Sequence, residues 1–175
     1  GNWILPGLDK RSTPTVAKEE LRGEPEYLNK AVQMQIDLLA GFPWLFMGIG
    51  NHEWSLINQT TYNPIRDIIK ALKDNSKVPT QYAGYSGFAR LRFMHCRQSQ
   101  TDYTLLYHHG AWTAQVSVIP PGALRYADGQ EGYDAFVFGH NHKIAGTMKT
   151  KRYMNKAGRI CHRDVIIAST GAFQR

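Results

Sequence analysis

A chain of 175 residues, 42% hydrophobic and 20% charged, has the makeup of one globular domain on a single core, which excludes a disordered tail and a low-complexity chain. No run approaches the roughly 18 apolar residues of a membrane span, and no basic-then-apolar leader opens the sequence. Lys and Arg number 21 against 14 Asp and Glu, a formal charge of +7 that favours anionic partners such as phosphates and nucleic acids.

Two cysteines, Cys96 and Cys161, make no disulfide framework and sit in no metal-knuckle spacing. Both are expected as buried core filling in a reducing, cytoplasmic setting without a membrane partner. The chain opens on Gly1 rather than Met, as a processed, tagged or shortened chain does.

Along the chain, residues 1–25 are broken by Pro6, Gly7, Pro14, Gly23 and Pro25, and read as loop with one short helical piece over 16–21. Leu28, Val32, Ile36 and Leu39 recur at helical spacing and predict a helix from Glu26 to about Leu39, stopped by Gly41 and Pro43. The short apolar run 45–48 reads as a buried strand that delivers the chain into Gly50-Asn51-His52-Glu53. Asn63-Pro64 is a cap and first-turn pair for a second helix with Ile65, Ile68, Ile69 and Leu72 inward. Period-two alternation then predicts strands around Leu91 and Phe93 and around Tyr103, Leu105 and Tyr107, the second ending in His108-His109-Gly110. The connection 111–132 is too irregular to assign. Residues 135–138 form another buried strand, leading into Gly139-His140-Asn141-His142. A hairpin closes the sequence, with strands over 144–153 and 160–168 and a turn at 155–158.

Five of the seven histidines, His52, His108, His109, His140 and His142, fall in three tight clusters, each directly after a predicted strand and each with a glycine. Loops at strand ends converge above a rigid sheet, and glycine lets the backbone turn sharply enough to aim a ligand. Neutral imidazole is a common metal ligand, and an Asn amide oxygen can join it. A lone histidine is more often a satisfied core residue; three clusters in the same strand–turn setting point to a metal site.

These clusters resemble, in order, the last three sequence blocks of the calcineurin-like metallophosphoesterase superfamily. Val78-Pro79, Gly84-Tyr85-Ser86-Gly87-Phe88, Arg90-Leu91-Arg92-Phe93 and Thr170-Gly171-Ala172-Phe173 are similar to its phage and prophage branch. The resemblance implies an α/β fold, a partial four-layer α/β/β/α sandwich with mixed sheets. It also implies two divalent metal ions (Mn first, with Fe, Zn or Ni as alternatives) and hydrolysis of a phosphomonoester or phosphodiester. By position, Asn51, His109 and His140 would hold the second metal and His142 the first. His52 would protonate or stabilise the leaving oxygen, Glu53 would orient His52, and His108 would stand behind the ligands.

The family's Asp-x-His block has no counterpart in the chain, and no Gly-Asp dipeptide occurs; the nearest text to the latter is Gly1-Asn2, with Asn2 in place of a bridging carboxylate. Either the chain is a fragment or it is a degenerate member of the family. As a fragment, it would leave a sheet edge and an apolar face for a second copy to cover.

Two other functions compete. A non-catalytic nucleic-acid module would use Arg90, Arg92, Arg97, Lys149, Lys151, Arg152, Lys156, Arg159 and Arg163, with Trp112, Tyr126 or Tyr153 stacking on bases; the plainer account is a solvated strand face with core aromatics. A structural zinc site is the third, disfavoured because such sites usually recruit cysteines.

Overall fold

The structure, a computed structural model, describes residues 27–73, 79–97, 99–112 and 118–171. Asn2 and the short helical piece expected over 16–21 lie outside the described residues. The fold is mixed α/β, and the chain forms two compact units that divide after Tyr85. No helix among the described residues is long and apolar enough to cross a membrane.

The first unit contains α1 (Tyr27–Leu39), β1 (Phe46–Gly48), α2 (Asn51–Thr60), α3 (Pro64–Lys73) and β2 (Gln81–Gly84). α1 and α3 follow the sequence pattern closely. Asn63 caps α3, its Oδ1 accepting the Arg66 N–H at 3.4 Å, and Pro64 fills the first turn, where a missing N–H costs nothing. Ile68, Ile69 and Leu72 are buried, and Ile68 and Leu72 meet Val32 of α1 with Ile36, Trp44 and Met47 packed around them. The Trp44 indole donates to Leu39 O at 2.9 Å and the Thr80 hydroxyl to Trp44 O at 2.9 Å. These bonds fix where β1 begins. β1 is half-buried rather than buried, because among the described residues it pairs with β2 alone, in parallel. α2, which starts within the first histidine cluster, is not legible from sequence: its apolar positions are too few to show a helical period.

The second unit holds β3 (Ser86–Cys96), β4 (Ser99–His108), α4 (Pro121–Asp128), β5 (Ala135–Phe138), β6 (Ala145–Met154) and β7 (Ile160–Ser169). They form one mixed sheet in the order β3-β4-β5-β7-β6. β4, β5 and β7 run parallel at its centre, while β3 and β6 are antiparallel edges. Leu106, Phe136 and Ile167 sit opposite one another across the three central strands and are fully buried, with Phe138 and Val165 beside them. α4 covers this face through Ala123 and Ala127, whose small side chains admit Tyr133, Trp112 and Tyr126 around the sheet. Each large side chain so buried contributes roughly 1.5–3 kcal/mol.

α4 lies within the irregular connection 111–132. It is 8 residues long and includes Gly122, whose missing side chain leaves room for the Trp112 ring. The thiols depart from expectation: Cys96 is exposed and Cys161 half-buried. Both lie near the far ends of β3 and β7, beyond the reach of β5 and of the core that α4 covers.

Replacing Phe136 by Ala is expected to cost the second unit about 3–5 kcal/mol, since it opens a cavity between the sheet and α4. Phe88→Ala, at a half-exposed position on β3, is expected to change stability by about 0.5 kcal/mol or less. Urea unfolding of both variants checks this contrast.

Candidate functional site

In the first unit, β1 ends at Gly48, Ile49 N–H bonds to Gly84 O at 2.9 Å, and extended Gly50 caps α2. Asn51, His52 and Glu53 are therefore the first three residues of a helix, at the positive end of its dipole. Glu53 is buried, and its Oε2 accepts the Gly50 N–H at 2.9 Å. This closes the turn that carries Asn51 and His52. Asn51 and His52 are both half-buried. Trp54, next along, is exposed and meets the Tyr85 ring edge-on at 6.5 Å.

In the second unit, the parallel run of β4, β5 and β7 brings three strand ends together: His108-His109-Gly110, Gly139-His140-Asn141-His142 and Ser169-Thr170. The first two turns touch through their glycines. Gly139 N–H donates to His109 O at 3.1 Å, and Gly110 adopts φ +94°. A side chain on Gly110 would lie 2.7 Å from Gly139 O, closer than carbon and oxygen approach, so only glycine fits. This contact sets the imidazoles of His109 and His140 edge-to-face, with ring centres 5.3 Å apart.

His108 turns away from that pair. Its ring packs at 4.8 Å against both Trp112 and Tyr126, and its Nδ1 accepts the Gly110 N–H at 2.7 Å. The bond requires a bare Nδ1 and so a neutral ring, and burial likewise holds the imidazole below its ordinary pKa. His142 is exposed, two residues beyond His140 on the same turn.

His140 and His142 both adopt left-handed backbone, φ 71° and 57°, which side-chain-bearing residues seldom do. Asn141 between them is 8% exposed, and its side chain holds the turn. Oδ1 accepts the Ser169 hydroxyl at 2.7 Å and the Lys143 N–H at 2.9 Å, the second bond forming a local Asx turn. Nδ2 is buried with no partner among the described residues, a cost of about 1–3 kcal/mol that the turn carries. In the sequence Asn141 reads only as part of the histidine motif; the available signal is the turn preference of an Asn set between two strand-end residues.

Several of the basic residues are committed to pairs. Arg92 binds Asp102 through two nitrogens, at 2.9 and 3.3 Å, and Lys149 binds Asp128 at 2.6 Å. Arg163 bridges to Asp134. Lys151 donates to Ala127 O and Gln130 O at the end of α4, 4.4 Å above the Tyr133 ring. Trp112 and Tyr126 are partly buried against the core, as the plainer account of those aromatics has it.

Ring centres 5.3 Å apart leave the two imidazoles close enough to reach one ion through ligand bonds of roughly 2.0–2.1 Å each. Among the described residues, no group of three or more His, Cys, Asp or Glu is placed to hold a metal. No protein-family model, no curated protein and no solved structure matches the chain.

Asn141→Ala is expected to destabilise the second unit by about 1–3 kcal/mol, and Ser169→Ala, which removes only one of the two accepted bonds, by less; chemical denaturation of the two variants checks the order. For His108 the sign of the pH effect follows from its lowered pKa. As pH falls through the ordinary histidine value near 6.5, the unfolded chain takes a proton that the folded chain resists, so stability drops. His108→Asn is expected to flatten that part of the stability–pH curve, and an NMR titration of the ring should give a midpoint below 6.5.

Proposed function

We propose that the chain is a metal-dependent phosphoesterase of the calcineurin-like type, on a partial four-layer α/β/β/α sandwich with mixed sheets. The observation that carries this reading is the His109–His140 pair at adjacent parallel strand ends, held by a glycine-to-glycine contact. The resemblance in sequence assigns the remaining donors. Asn51, His109 and His140 would hold one divalent ion and His142 another, with Mn as first choice and Fe, Zn or Ni as alternatives. When bound, such a pair of ions makes water a usable nucleophile near neutral pH and offsets charge on the phosphoryl group.

The protein's own groups do the rest. His52 donates a proton to the departing oxygen of a phosphate ester, from the positive end of α2, where the phosphoryl charge is also favoured. Glu53 keeps that turn closed through its bond to the Gly50 N–H, and so positions His52 through the backbone. Asn141 and Ser169 hold the turn that carries His140 and His142. His108, neutral and packed between two rings, sets the turn after His109 from behind. A nucleotide or nucleic-acid ester in the cytoplasm suits the net charge of +7.

Because no Asp-x-His or Gly-Asp block occurs in these 175 residues, the second ion has three neutral donors and the first has one. The expected result for this chain is at most one weakly bound Mn ion and little turnover of an aryl phosphodiester. His140→Ala should abolish Mn binding by calorimetry, and His52→Asn should leave it intact. In a chain supplied with the carboxylate donors, His52→Asn should cut turnover by about 10²–10⁴. Retention of Mn by His140→Ala would remove His140 from the ligands, and loss of Mn in His52→Asn would place His52 among them.

A further inference from the structure

The two ends of the second unit's sheet differ in kind. Since β4, β5 and β7 are parallel, the histidine turns share one end, and the β3–β4 and β6–β7 turns share the other. β5 pairs only with Leu105–His108 of β4 and Ile166–Ser169 of β7. From Thr150 to Met154, β6 pairs with the stretch of β7 from Ile160 to Asp164 and no third strand among the described residues joins them, so a two-stranded ribbon extends past the core.

From Thr150 to Asp164 this ribbon has five cationic residues and one carboxylate, Asp164, which accepts the Thr150 hydroxyl. Lys151 and Arg163 are engaged with the end of α4 and with Asp134. Arg152, Lys156 and Arg159 are exposed and form no salt bridge with a described residue. Charges on an edge strand ordinarily deter sheet-to-sheet pairing, and that accounts for Lys149 and Lys151. It accounts less well for cations in the turn itself, or for Tyr153, Met154 and Ile160 left half-exposed or more beside them.

The turn is also fixed in shape. Asn155 N–H donates to Arg159 O and Gly158 N–H to Asn155 O, both at 2.9 Å, while Asn155 Oδ1 accepts from Ala157 N–H and Arg159 N–H at 3.0 Å. Gly158 takes the left-handed conformation, φ +73°, that such a turn requires. Lys156 and Arg159 are thus presented from an ordered tip rather than a loose one.

The geometry points to the β6–β7 ribbon as a docking element for duplex nucleic acid, with Arg152, Lys156 and Arg159 taking backbone phosphates at the end of the sheet away from the histidines. A two-stranded ribbon fits a major groove about 12 Å wide. The partner is a nucleic acid rather than a membrane because of how the apolar residues divide. Tyr153 shares one face of the ribbon with Cys161, and Met154 shares the other with Ile160, whereas insertion among lipids needs a single apolar face. The surplus positive charge of the whole chain draws a polyanion in from a distance.

Fluorescence anisotropy with a short random-sequence DNA duplex, over a salt series, tests this. The wild-type chain should bind at low salt with a negative slope of log affinity against log salt. The triple variant R152Q/K156Q/R159Q should bind at least about tenfold more weakly, its slope shallower by roughly 2–3, close to 0.9 per lost phosphate contact. Its near-ultraviolet circular dichroism should match wild type, since all three side chains are exposed. Lys70→Gln, at an exposed cation of α3 outside both features, should bind the duplex like wild type, and the triple variant should bind Mn as wild type does, which separates this proposal from the phosphoesterase reading. No binding by wild type at low salt, or unchanged affinity and slope in the triple variant, would overturn it. So would equally tight binding to phosphatidylcholine–phosphatidylserine vesicles that is lost in the same variant.

Discussion

The contact between Gly110 and Gly139 is the constraint from which the rest of the second unit's histidine end follows. Two parallel strands lie about 4.8 Å apart, and the turns leaving them must diverge unless both can dispense with side chains. Here the Gly139 N–H bonds to the carbonyl before Gly110, and the space a Gly110 side chain would need is taken by the Gly139 carbonyl. The imidazoles on either side are brought together by backbone, not by attraction between rings. Their mutual placement therefore inherits the rigidity of β4 and β5, whose inward residues Leu106, Phe136 and Phe138 are almost wholly buried.

α1, α3, the central strands and the closing hairpin are legible in the sequence, because each repeats a period over enough residues to be counted. Where the described structure adds elements, the reason is local. α2 has few apolar positions and α4 spans 8 residues with a glycine inside, so neither shows a face that a period could reveal. The thiols of Cys96 and Cys161 mislead for the opposite reason. Their residue type predicts burial, yet both stand where, among the described residues, the sheet has thinned to two strands and no helix covers it.

The site is readable as residue identities and only in part as geometry. His109 and His140 stand together, and His108, its neighbour in sequence, faces an aromatic cluster, as alternation along a strand demands. Asn141 is the instructive case. Between two histidines an asparagine reads as one more polar donor, but both lone-pair directions of its oxygen are used within the fold and its nitrogen is buried. What it does depends on Ser169, a residue far along the chain, and no local pattern encodes that pairing.

The position of Ser169 also bears on how the chain acquires this end of the sheet. During synthesis β4, α4 and β5 emerge first and can pair with one another, since the crossover between them is short. β5, though, has β7 as its other neighbour, and the hydroxyl that holds the His140–His142 turn sits on the last residue of that strand. Until β7 leaves the ribosome, one edge of Ala135–Phe138 stays open and the left-handed histidines lack their anchor. A nascent chain paused after β6 would thus expose an apolar strand edge, the kind of surface that chaperones hold and that pairs wrongly with other chains.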